Sequence, residues 1–510
     1  MSGLTDLLRR AAQVNASGTA SICGGTKPTW QQTQERVSKT ATLLEGLGVQ
    51  TNDRVAVIAN NSARFMELLF AIPWCGAVAA PLNTRWSVPE SSEIAIDLEC
   101  KIIATDQANL SRTLEILSNM PYAPSVLVLD GTGPEGTVSL EPTLVRCESR
   151  SDAGRQGEDL AMICFTGGTT GRSKGALLSH AGMCTNTLQW IAAVQASPND
   201  RLLVLPPLFH AAGSGNALAV AALACTAVFI DRFDINLVLK TIETYGVTNI
   251  PLVATMLDWL VNHPDITKFD LRSLNKITYG ASPIPIPVLE KALKFLPQVA
   301  FYQIYGQSEG GPTISVLDAI DHQDLHAPQL KSAGKVVIGS EICILNSEGN
   351  PLPAGEFGEV AIKGPGVASG YWNLPDDSKQ SFTDGWLRTG DGGRIDEQGY
   401  LFIEDRIKDM IISGGENVFP AQVESVLRQH PSIIECAVIG LPSIDWGEEV
   451  VAIVRMAEGV SKNDMELDTL CRKQLSTFKC PKRYIFRDEP LPISAANKIL
   501  KRELRQQYGP

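Results

Sequence analysis

A glycine-rich segment carries the strongest chemical signal in the 510-residue sequence. It reads Phe165-Thr166-Gly167-Gly168-Thr169-Thr170-Gly171-Arg172-Ser173-Lys174-Gly175 and follows an apolar run that predicts a strand. Glycines let backbone N–H groups converge on phosphate oxygens, the threonine hydroxyls can donate hydrogen bonds, and Lys174 adds a positive charge. In a Walker A loop the lysine directly follows a glycine, whereas here Arg172 and Ser173 intervene. The segment therefore predicts a phosphate-binding loop of another type.

A second segment, Gly306-Gln307-Ser308-Glu309-Gly310, matches the Gly-x-Ser-x-Gly elbow of serine hydrolases. Asp391 and His430 follow in the order that such a catalytic triad requires. A chain with 43 glycines can match this pattern by chance, and a hydrolase site leaves the loop at Thr166 unexplained. The hydrolase hypothesis is therefore disfavoured.

Three further clusters carry polar groups near glycines. They are Gly385 to Asp391, Asp405 to Asn417, and Ile493 to Ile499, the last of which includes Lys498. Each is weak evidence alone, since a single lysine is usually a solvated surface group.

The elements that must hold these residues alternate between strands and helices over the first 400 residues. Predicted strands include Arg54–Ala59, Leu160–Phe165 and Val299–Tyr305, and Phe65–Trp74 predicts a helix. This alternation predicts crossover units and a largely parallel sheet. After Leu330, glycines and prolines crowd in and short alternating strands predict an antiparallel or barrel-like piece.

A smaller α+β unit is predicted from about residue 406 onward. Helices are expected at Ala421–Gln429 and Asp464–Leu475, with strands at Ile434–Ile439 and Val450–Arg455. The predicted fold is therefore a large α/β domain over residues 1–405, with a barrel-like subdomain, and a small α+β domain over residues 406–510.

Composition excludes several classes of protein. The chain has 44 Lys+Arg and 56 Asp+Glu, a formal net charge of −12, which argues against nucleic-acid binding. The longest apolar run, Ala217–Ile230, is about four residues too short to span a bilayer and predicts a buried helix that leads into a strand. Eleven scattered cysteines without a Cys-x-x-Cys pair, and no secretory pattern at the N-terminus, predict reduced thiols in the cytoplasm. His322 and His326 are expected in a solvated acidic helix or loop.

Taken together and in this order, the motifs resemble the adenylate-forming superfamily of acyl-CoA synthetases, nonribosomal-peptide adenylation domains and beetle luciferases. The resemblance extends from about Asp53 to Lys498, and the motifs look most similar to benzoate- and chlorobenzoate-CoA ligases and to medium-chain acyl-CoA synthetases. It implies ATP, Mg²⁺ and coenzyme A as cofactors and a reaction in two steps. A carboxylate attacks the α-phosphate of ATP, and a thiol then displaces AMP from the acyl-adenylate.

The resemblance also implies roles for individual residues. Glu309 should hold Mg²⁺, Ser308 should contact the α-phosphate, His210 should act as a gate near the carboxylate, and Lys498 should bridge carboxylate and α-phosphate. The implied ATP- and AMP-binding residues are Thr166, Gly167, Gly168, Thr169, Thr170, Gly171, Lys174, Gly280, Ala281, Ser282, Tyr302, Gln303, Tyr305, Gly306, Ser308, Asp391, Arg406 and Lys498. The implied acyl pocket comprises His210, Ala211, Gly213, Val253, Gly280, Ala281, Gly306 and Gly311.

In the superfamily the small C-terminal domain rotates between the two steps, and Lys408 matches the hinge position. Ser413, Gly414 and Gly415 should then let a pantetheine arm pass, Trp446 should stack on the CoA adenine, and Lys482 should meet CoA phosphates. Residues 471–510 contain ten Lys/Arg and three Asp/Glu, which suits a polyphosphate ligand or simply a solvated helix.

Three departures from the family pattern affect these expectations. Gly167 replaces a usual serine and Ser173 a usual proline, so the loop should be more flexible and bind ATP less tightly. Cys480 stands where a CoA-binding arginine is often found, and Lys479, Lys482 and Arg483 are its expected substitutes.

The predicted substrate is a neutral organic acid, aromatic or medium-chain aliphatic. The implied pocket positions are small or apolar, with neither a cation for a second carboxylate nor an Asp for an amino group. Transfer of the acyl group to a carrier protein instead of CoA stays open, as do a homodimer and a luciferase-like or degenerate member. An ATP-sensing protein without catalysis would not need Lys498.

Overall fold

A computed structural model describes residues 3–166, 173–280, 284–414, 416–493 and 499–509. In these ranges the α-helices are α1 (Leu4–Val14), α2 (Trp30–Gly46), α3 (Ala63–Trp74), α4 (Val88–Asp97), α5 (Leu110–Ser118), α6 (Leu140–Leu144), α7 (His180–Ala193), α8 (Ala211–Leu223), α9 (Ile235–Tyr245), α10 (Ala254–Val261), α11 (Ile286–Phe295), α12 (Pro375–Ser381), α13 (Pro420–Leu427), α14 (Asp464–Gln474) and α15 (Lys501–Tyr508).

The strands are β1 (Ser21–Ile22), β2 (Arg54–Ile58), β3 (Val78–Pro81), β4 (Ile102–Thr105), β5 (Ser125–Val128), β6 (Val138–Ser139), β7 (Leu160–Thr166), β8 (Lys174–Ser179), β9 (Arg201–Leu203), β10 (Thr226–Val228), β11 (Asn249–Val253), β12 (Lys276–Gly280), β13 (Ala300–Gln307), β14 (Gly311–Leu317), β15 (Lys335–Val336), β16 (Glu341–Leu345), β17 (Gly358–Lys363), β18 (Phe382–Thr383), β19 (Trp386–Ile395), β20 (Leu401–Arg406), β21 (Ile411–Ser413), β22 (Glu416–Val418), β23 (Ile433–Ser443), β24 (Gly447–Met456) and β25 (Arg483–Phe486).

Two sheets are largely parallel, as the alternation of strands and helices predicts. One has the order β6-β5-β4-β2-β3-β7-β8; in the described ranges its neighbouring strands are parallel except for β8, which is antiparallel to β7. The other has the order β1-β10-β9-β11-β12-β13-β14-β15, in which β14 is antiparallel to both of its neighbours, β13 and β15. A third sheet has the order β16-β17-β19-β18, and β20 pairs with β19.

Two compact units divide the chain. The larger comprises the described residues within 1–166, 173–342 and 362–387, and the smaller those within 343–361 and 388–510. In the larger unit the apolar run at residues 217–230 forms most of α8 and then β10, which confirms the predicted helix and strand. No helix in the described ranges is both long and apolar enough to cross a membrane.

The smaller unit contains a sheet of order β22-β21-β24-β23, to which β25 adds in parallel. Alternate residues of its long strands face two different clusters, as the period of two in a strand requires. Cys436, Val438 and Val450 pack with side chains of α13 and α14, whereas Ile439 packs with Leu504 of α15. The fold class is thus confirmed as α/β with a smaller α+β unit.

Candidate active site

The predicted phosphate loop connects two paired strands of the larger unit. Thr166 ends β7 and Lys174 begins β8, and the two are opposite each other in the antiparallel register. The Thr166 hydroxyl donates to the Lys174 carbonyl oxygen at 3.3 Å. Gly167, Gly168, Thr169, Thr170 and Gly171 lie outside the described residues. The sheet therefore fixes both ends of the loop and places the lysine at its C-terminal end.

Lys174 contacts two side chains that the sequence analysis did not single out. Its ammonium forms an ion pair with Asp377 of α12 and lies 5.1 Å from the centroid of the Tyr371 ring. Tyr371 is held beside β8 by backbone pairing, since Ala176 bridges to Tyr371 and the next residue, Trp372, donates its N–H to the Gly175 carbonyl. The lysine head is thus positioned by a segment about 200 residues further along the chain.

Glu309 lies in the turn between β13 and β14 and joins the same cluster. Its Oε1 accepts a hydrogen bond from the Tyr371 hydroxyl at 3.2 Å. Burial, and then the neighbouring Glu309 carboxylate, raise the pKa of Tyr371, so the phenol keeps its proton and acts as the donor. A carboxylate beside a phosphate-binding loop fits Mg²⁺, which takes few protein ligands and completes its shell with phosphate oxygens and water.

Ser308 is close to the strand that leads into the phosphate loop. Its Oγ lies 3.6 Å from the Cys164 sulfur of β7. Burial raises the pKa of Cys164 to about 11, so this sulfur stays a thiol. The structure therefore brings Ser308, Glu309, Thr166 and Lys174 into one region of the larger unit, and their roles toward ATP stay predictions.

The hydrolase hypothesis finds no support in the smaller unit. There Asp391 forms an ion pair with Arg406, and His430 lies 3.1 Å from Glu466. The two residues that would complete the predicted triad, Asp391 and His430, are thus each paired with a different side chain.

The carboxyl ends of three parallel strands meet where the adenine and acyl groups are expected. Val253 of β11 pairs with Gly280 of β12, and Gly280 pairs with Ile304 of β13. Ligands of parallel sheets commonly bind outside such strand ends. Ala281 and Ser282 lie outside the described residues.

The predicted adenine residues on β13 differ in their exposure. Tyr302 and Gln303 are buried, and the Gln303 amide donates to the Ser332 carbonyl at 3.2 Å. Tyr305 is half-buried, so among these three it is the side chain with surface to offer a base.

The small residues of the predicted acyl pocket have a reason other than room for a substrate. A Cβ on Gly213 would lie 2.1 Å from the Pro207 carbonyl oxygen, and one on Gly306 would lie 2.3 Å from that of Pro312. Gly280 is similarly constrained, at 2.6 Å from the Ile304 oxygen, and Gly311 has φ +91°. Because backbone packing already requires these glycines, their size is weak evidence for a roomy pocket.

Two other predicted pocket residues lie at the start of α8. His210 is the N-cap residue and is half-buried, with its ring centroid 4.6 Å from that of Phe209. Ala211 is the first helical residue and is buried. Both lie in the larger unit with Val253.

One histidine prediction was wrong. His322 is only 1% exposed, whereas His326 is exposed as expected. The His322 ring donates from Nδ1 to the Asp318 carbonyl at 2.8 Å, so Nε2 accepts the hydrogen bond from Tyr279 at 2.7 Å. Burial lowers the pKa of His322. The sequence pattern could not reveal the buried phenol that satisfies this ring. Among the described residues no cluster of three or more His, Cys, Asp or Glu could hold a metal ion.

The predicted ribose-binding residues meet in the smaller unit. Asp391 and Arg406 are opposite each other on β19 and β20, and the Arg406 Nε lies 2.7 Å from the Asp391 carboxylate. Arg406 also donates to the Thr389 carbonyl at 3.1 Å. Asp391 is buried, so the guanidinium holds its carboxylate in one orientation.

The predicted CoA-binding residues also converge in the smaller unit. Gly414 has φ +60°, its N–H donates to the Trp446 carbonyl at 2.8 Å, and a Cβ there would lie 3.1 Å from the indole. The Lys482 ammonium lies 4.7 Å from the Trp446 ring centroid. Trp446 is 42% exposed, so one part of the indole is available to a ligand. Ser413 is buried, and Gly415 lies outside the described residues.

Of the residues expected to replace a CoA-binding arginine, only Lys482 is near Trp446 in the contacts described. Cys480 is fully buried in the core of the smaller unit, and Lys479 donates to Gln422 at 2.8 Å. Arg483 forms an ion pair with Glu449 at 2.9 Å. Cys480 therefore takes no part in a surface phosphate site.

The predicted hinge residue, Lys408, is exposed in a short 3₁₀ turn after β20. The adjoining Asp409 is held by Arg505 of α15 at 2.9 Å. Lys498 lies outside the described residues. Its catalytic role, like the hinge role of Lys408, stays a prediction.

Comparison with known proteins identifies the family of the chain. Residues 8–372 match the family of AMP-binding enzymes, and residues 422–498 match the AMP-binding enzyme C-terminal domain. A feruloyl-CoA synthase from an Amycolatopsis species is 34% identical over 506 residues, which cover 98% of both chains. A fatty acid–[acyl-carrier-protein] ligase of Streptomyces coeruleorubidus is 33% identical over 510 residues, covering 98% of this chain and 95% of that protein.

A solved structure gives the same result. The o-succinylbenzoate CoA synthetase of Bacillus subtilis, in complex with its acyl-adenylate intermediate, superposes with a TM-score of 0.87 at 28% identity, covering 98% of this chain and 97% of that one. The chain belongs to the adenylate-forming family of AMP-binding enzymes. It is an AMP-forming acid–thiol ligase, and the acyl-CoA ligases of this family use ATP, Mg²⁺ and CoA.

Proposed function

We propose that this enzyme activates a neutral carboxylic acid, aromatic or medium-chain aliphatic, and transfers its acyl group to CoA, with release of AMP and pyrophosphate. The observation that carries the proposal is the convergence of Lys174 and Glu309 around Tyr371, beside the strand ends that bracket a glycine-rich loop. A positive charge and a metal-binding carboxylate at one loop suit a triphosphate. The names of the feruloyl-CoA and o-succinylbenzoate relatives support an aromatic acid, and that of the carrier-protein ligase supports a fatty acid.

In the first step, a carboxylate oxygen of the substrate attacks the α-phosphorus of ATP, and the bond to the pyrophosphate oxygen breaks. Thr166 and Lys174 hold the β- and γ-phosphates, and Ser308 contacts the α-phosphate. Glu309 would hold Mg²⁺, which when bound neutralises phosphate charge. Asp391 accepts from the ribose hydroxyls, with Arg406 beside it. Since no enzyme nucleophile is needed, catalysis depends on positioning and charge stabilisation.

In the second step, the CoA thiolate attacks the acyl carbon, and the bond between that carbon and the AMP oxygen breaks. Ser413, Gly414 and Gly415 form the passage for the pantetheine arm, because small residues leave room for it. The exposed part of Trp446 stacks on the CoA adenine, and Lys482 meets a CoA phosphate. We assign residues 406–510 to a mobile domain that turns about Lys408 and presents Lys498 in the first step.

A carrier protein is the second candidate acceptor, which the acyl-carrier-protein ligase among the relatives favours. A carrier offers the same pantetheine arm but no adenine. Trp446 and Lys482 together therefore support CoA, since an exposed indole flanked by a cation suits an adenine next to phosphates. We place the enzyme in the cytoplasm, because eleven scattered cysteines without a Cys-x-x-Cys pair are typical of a protein whose thiols stay reduced.

The experiment that tests this proposal supplies the purified enzyme with ATP, Mg²⁺ and CoA and a panel of acids. The panel contains benzoates, cinnamates, straight-chain fatty acids, bulky alicyclic acids and malonate. Mass spectrometry would detect acyl-CoA while AMP and ADP are quantified. We expect an acyl-CoA of an aromatic or medium-chain acid with an equal amount of AMP. Acyl-adenylate without any CoA ester would identify a carrier protein as the acceptor, and ADP in place of AMP would refute adenylation.

A further inference from the structure

Asp377 forms an ion pair with Lys174, the lysine that the proposed function assigns to ATP binding. The Lys174 ammonium is paired with the Asp377 carboxylate, and both side chains are partly buried, at 24% and 36% exposure. Asp377 lies in the first turn of α12, which begins after Leu374. Its neighbour Asp376 lies in the same turn and is exposed.

The Tyr371 ring limits where the lysine head can go. The ammonium lies 5.1 Å from the ring centroid, within the range in which an aromatic face attracts a cation. The ring is itself fixed, because it packs edge-on against Phe382 at 5.3 Å and donates its hydroxyl to Glu309. The Asp377 carboxylate is thus an anion held at the end of a positioned cation.

The Asp377 carboxylate and a bound triphosphate are both anions, so they compete for the same Lys174 ammonium. If Lys174 leaves Asp377 to bind phosphate, the ion pair is lost. If the lysine bridges the two, the carboxylate repels the phosphate oxygens. In both cases Asp377 opposes ATP binding, while AMP, which has neither the β- nor the γ-phosphate, is unaffected.

We propose that Asp377 is a positioning residue that serves as an internal counter-ion for Lys174 and weakens binding of ATP and pyrophosphate relative to AMP. The proposal rests on the assignment of Lys174 to the β- and γ-phosphates. The consequence for the reaction is easier release of pyrophosphate after the first step. Because the pair is partly exposed and screened, its effect is modest, about twofold to fivefold in affinity.

The test compares Asp377→Asn with Asp376→Asn, which removes the same charge one residue away. Dissociation constants of ATP, pyrophosphate and AMP would be measured by calorimetry, together with KM and kcat for ATP. We expect Asp377→Asn to tighten ATP and pyrophosphate binding about twofold to fivefold and to lower KM for ATP, with AMP binding unchanged. Asp376→Asn should match the wild type, and the difference should shrink as salt is raised.

Five outcomes would contradict the proposal, and they identify which assumption is wrong. Equal ATP affinity in both variants, or weaker ATP binding by Asp377→Asn, would overturn the counter-ion role. An equal shift for AMP would also overturn it, since the effect would then be general electrostatics. In a Lys174→Met background, an undiminished effect of Asp377→Asn would show that the lysine is not involved. Absence of any ATP binding by the wild type would instead overturn the proposed function, and the counter-ion role with it.

Discussion

The buried histidine at the start of α7 should make the stability of the N-terminal helix depend on pH. The side chain of His180 is fully buried, and its Nδ1 accepts the backbone N–H of Leu4 at 3.1 Å. The neutral ring therefore carries its proton on Nε2, which has no hydrogen-bond partner among the described residues. Protonation would place a second donor against the Leu4 N–H, at the first residue of α1.

The magnitude follows from the pKa of this ring. The pKa of His180 is lowered from 6.5 to about 4, mainly by burial; the Asp159 carboxylate opposes this shift and Arg155 contributes to it. At a pH between about 4 and 6.5, this histidine therefore binds a proton in the unfolded chain but not in the folded chain. The stabilising contribution is complete above pH 6.5, is lost as pH falls toward 4, and totals about 3 kcal/mol. Between pH 7.5 and pH 5 the loss should be about 2 kcal/mol.

The assay is amide hydrogen exchange of the α1 segment, which reports local opening without assuming that both units unfold together. His180→Asn keeps an acceptor for the Leu4 N–H but does not titrate. From pH 7.5 to pH 5, the free energy of opening of α1 should therefore fall by about 2 kcal/mol less in this variant than in the wild type. His326→Asn, at an exposed histidine, is the control and should behave as the wild type. Equal losses of protection in the wild type and in His180→Asn would refute this reasoning.

Three further predictions concern residues of the proposed function. Tyr371→Phe removes the hydrogen bond to Glu309 and should raise the Mg²⁺ concentration for half-maximal activity about threefold to tenfold, measured by Mg²⁺ titration at saturating ATP; unchanged Mg²⁺ dependence would contradict the positioning of Glu309. Trp446→Ala should raise KM for CoA about tenfold, since a stacked base is worth about 1–3 kcal/mol, and KM for 4′-phosphopantetheine should stay unchanged. Equal effects on both thiols would argue against adenine stacking. Lys498→Ala should lower the rate of adenylation, measured as pyrophosphate release, about a hundredfold to a thousandfold, but should spare CoA transfer from supplied acyl-adenylate. Equal loss of both steps would contradict its assignment to the first step alone.

Most secondary-structure elements could be predicted from local patterns. The strand predicted at residues 54–59 is observed as Arg54–Ile58, and the helix predicted at residues 464–475 as Asp464–Gln474. Such predictions succeed because the period of apolar residues is a local property. The phosphate loop, which stays a prediction, also rests on a local pattern, since glycine, hydroxyl and lysine are adjacent in the chain.

The predictions that failed or were incomplete depended on distant residues. Asp377 meets Lys174 across 203 positions, and no spacing rule relates such a pair. His322 is buried because a phenol 43 positions earlier satisfies its ring. The glycines of the predicted acyl pocket pack against backbone, which small residue size alone does not reveal.

The sequence by itself therefore determined the order of the elements and the family, and it predicts the phosphate loop, because each depends on neighbouring residues or on the order of motifs. Only the tertiary structure decided the surroundings of the charged groups. In it, Lys174 contacts Asp377 and the Tyr371 ring, and the Tyr371 hydroxyl donates to Glu309. Cys480 is buried, whereas part of Trp446 is exposed. The physical reason is that burial and charge pairing depend on which distant segments pack together, and these then decide what each side chain can bind.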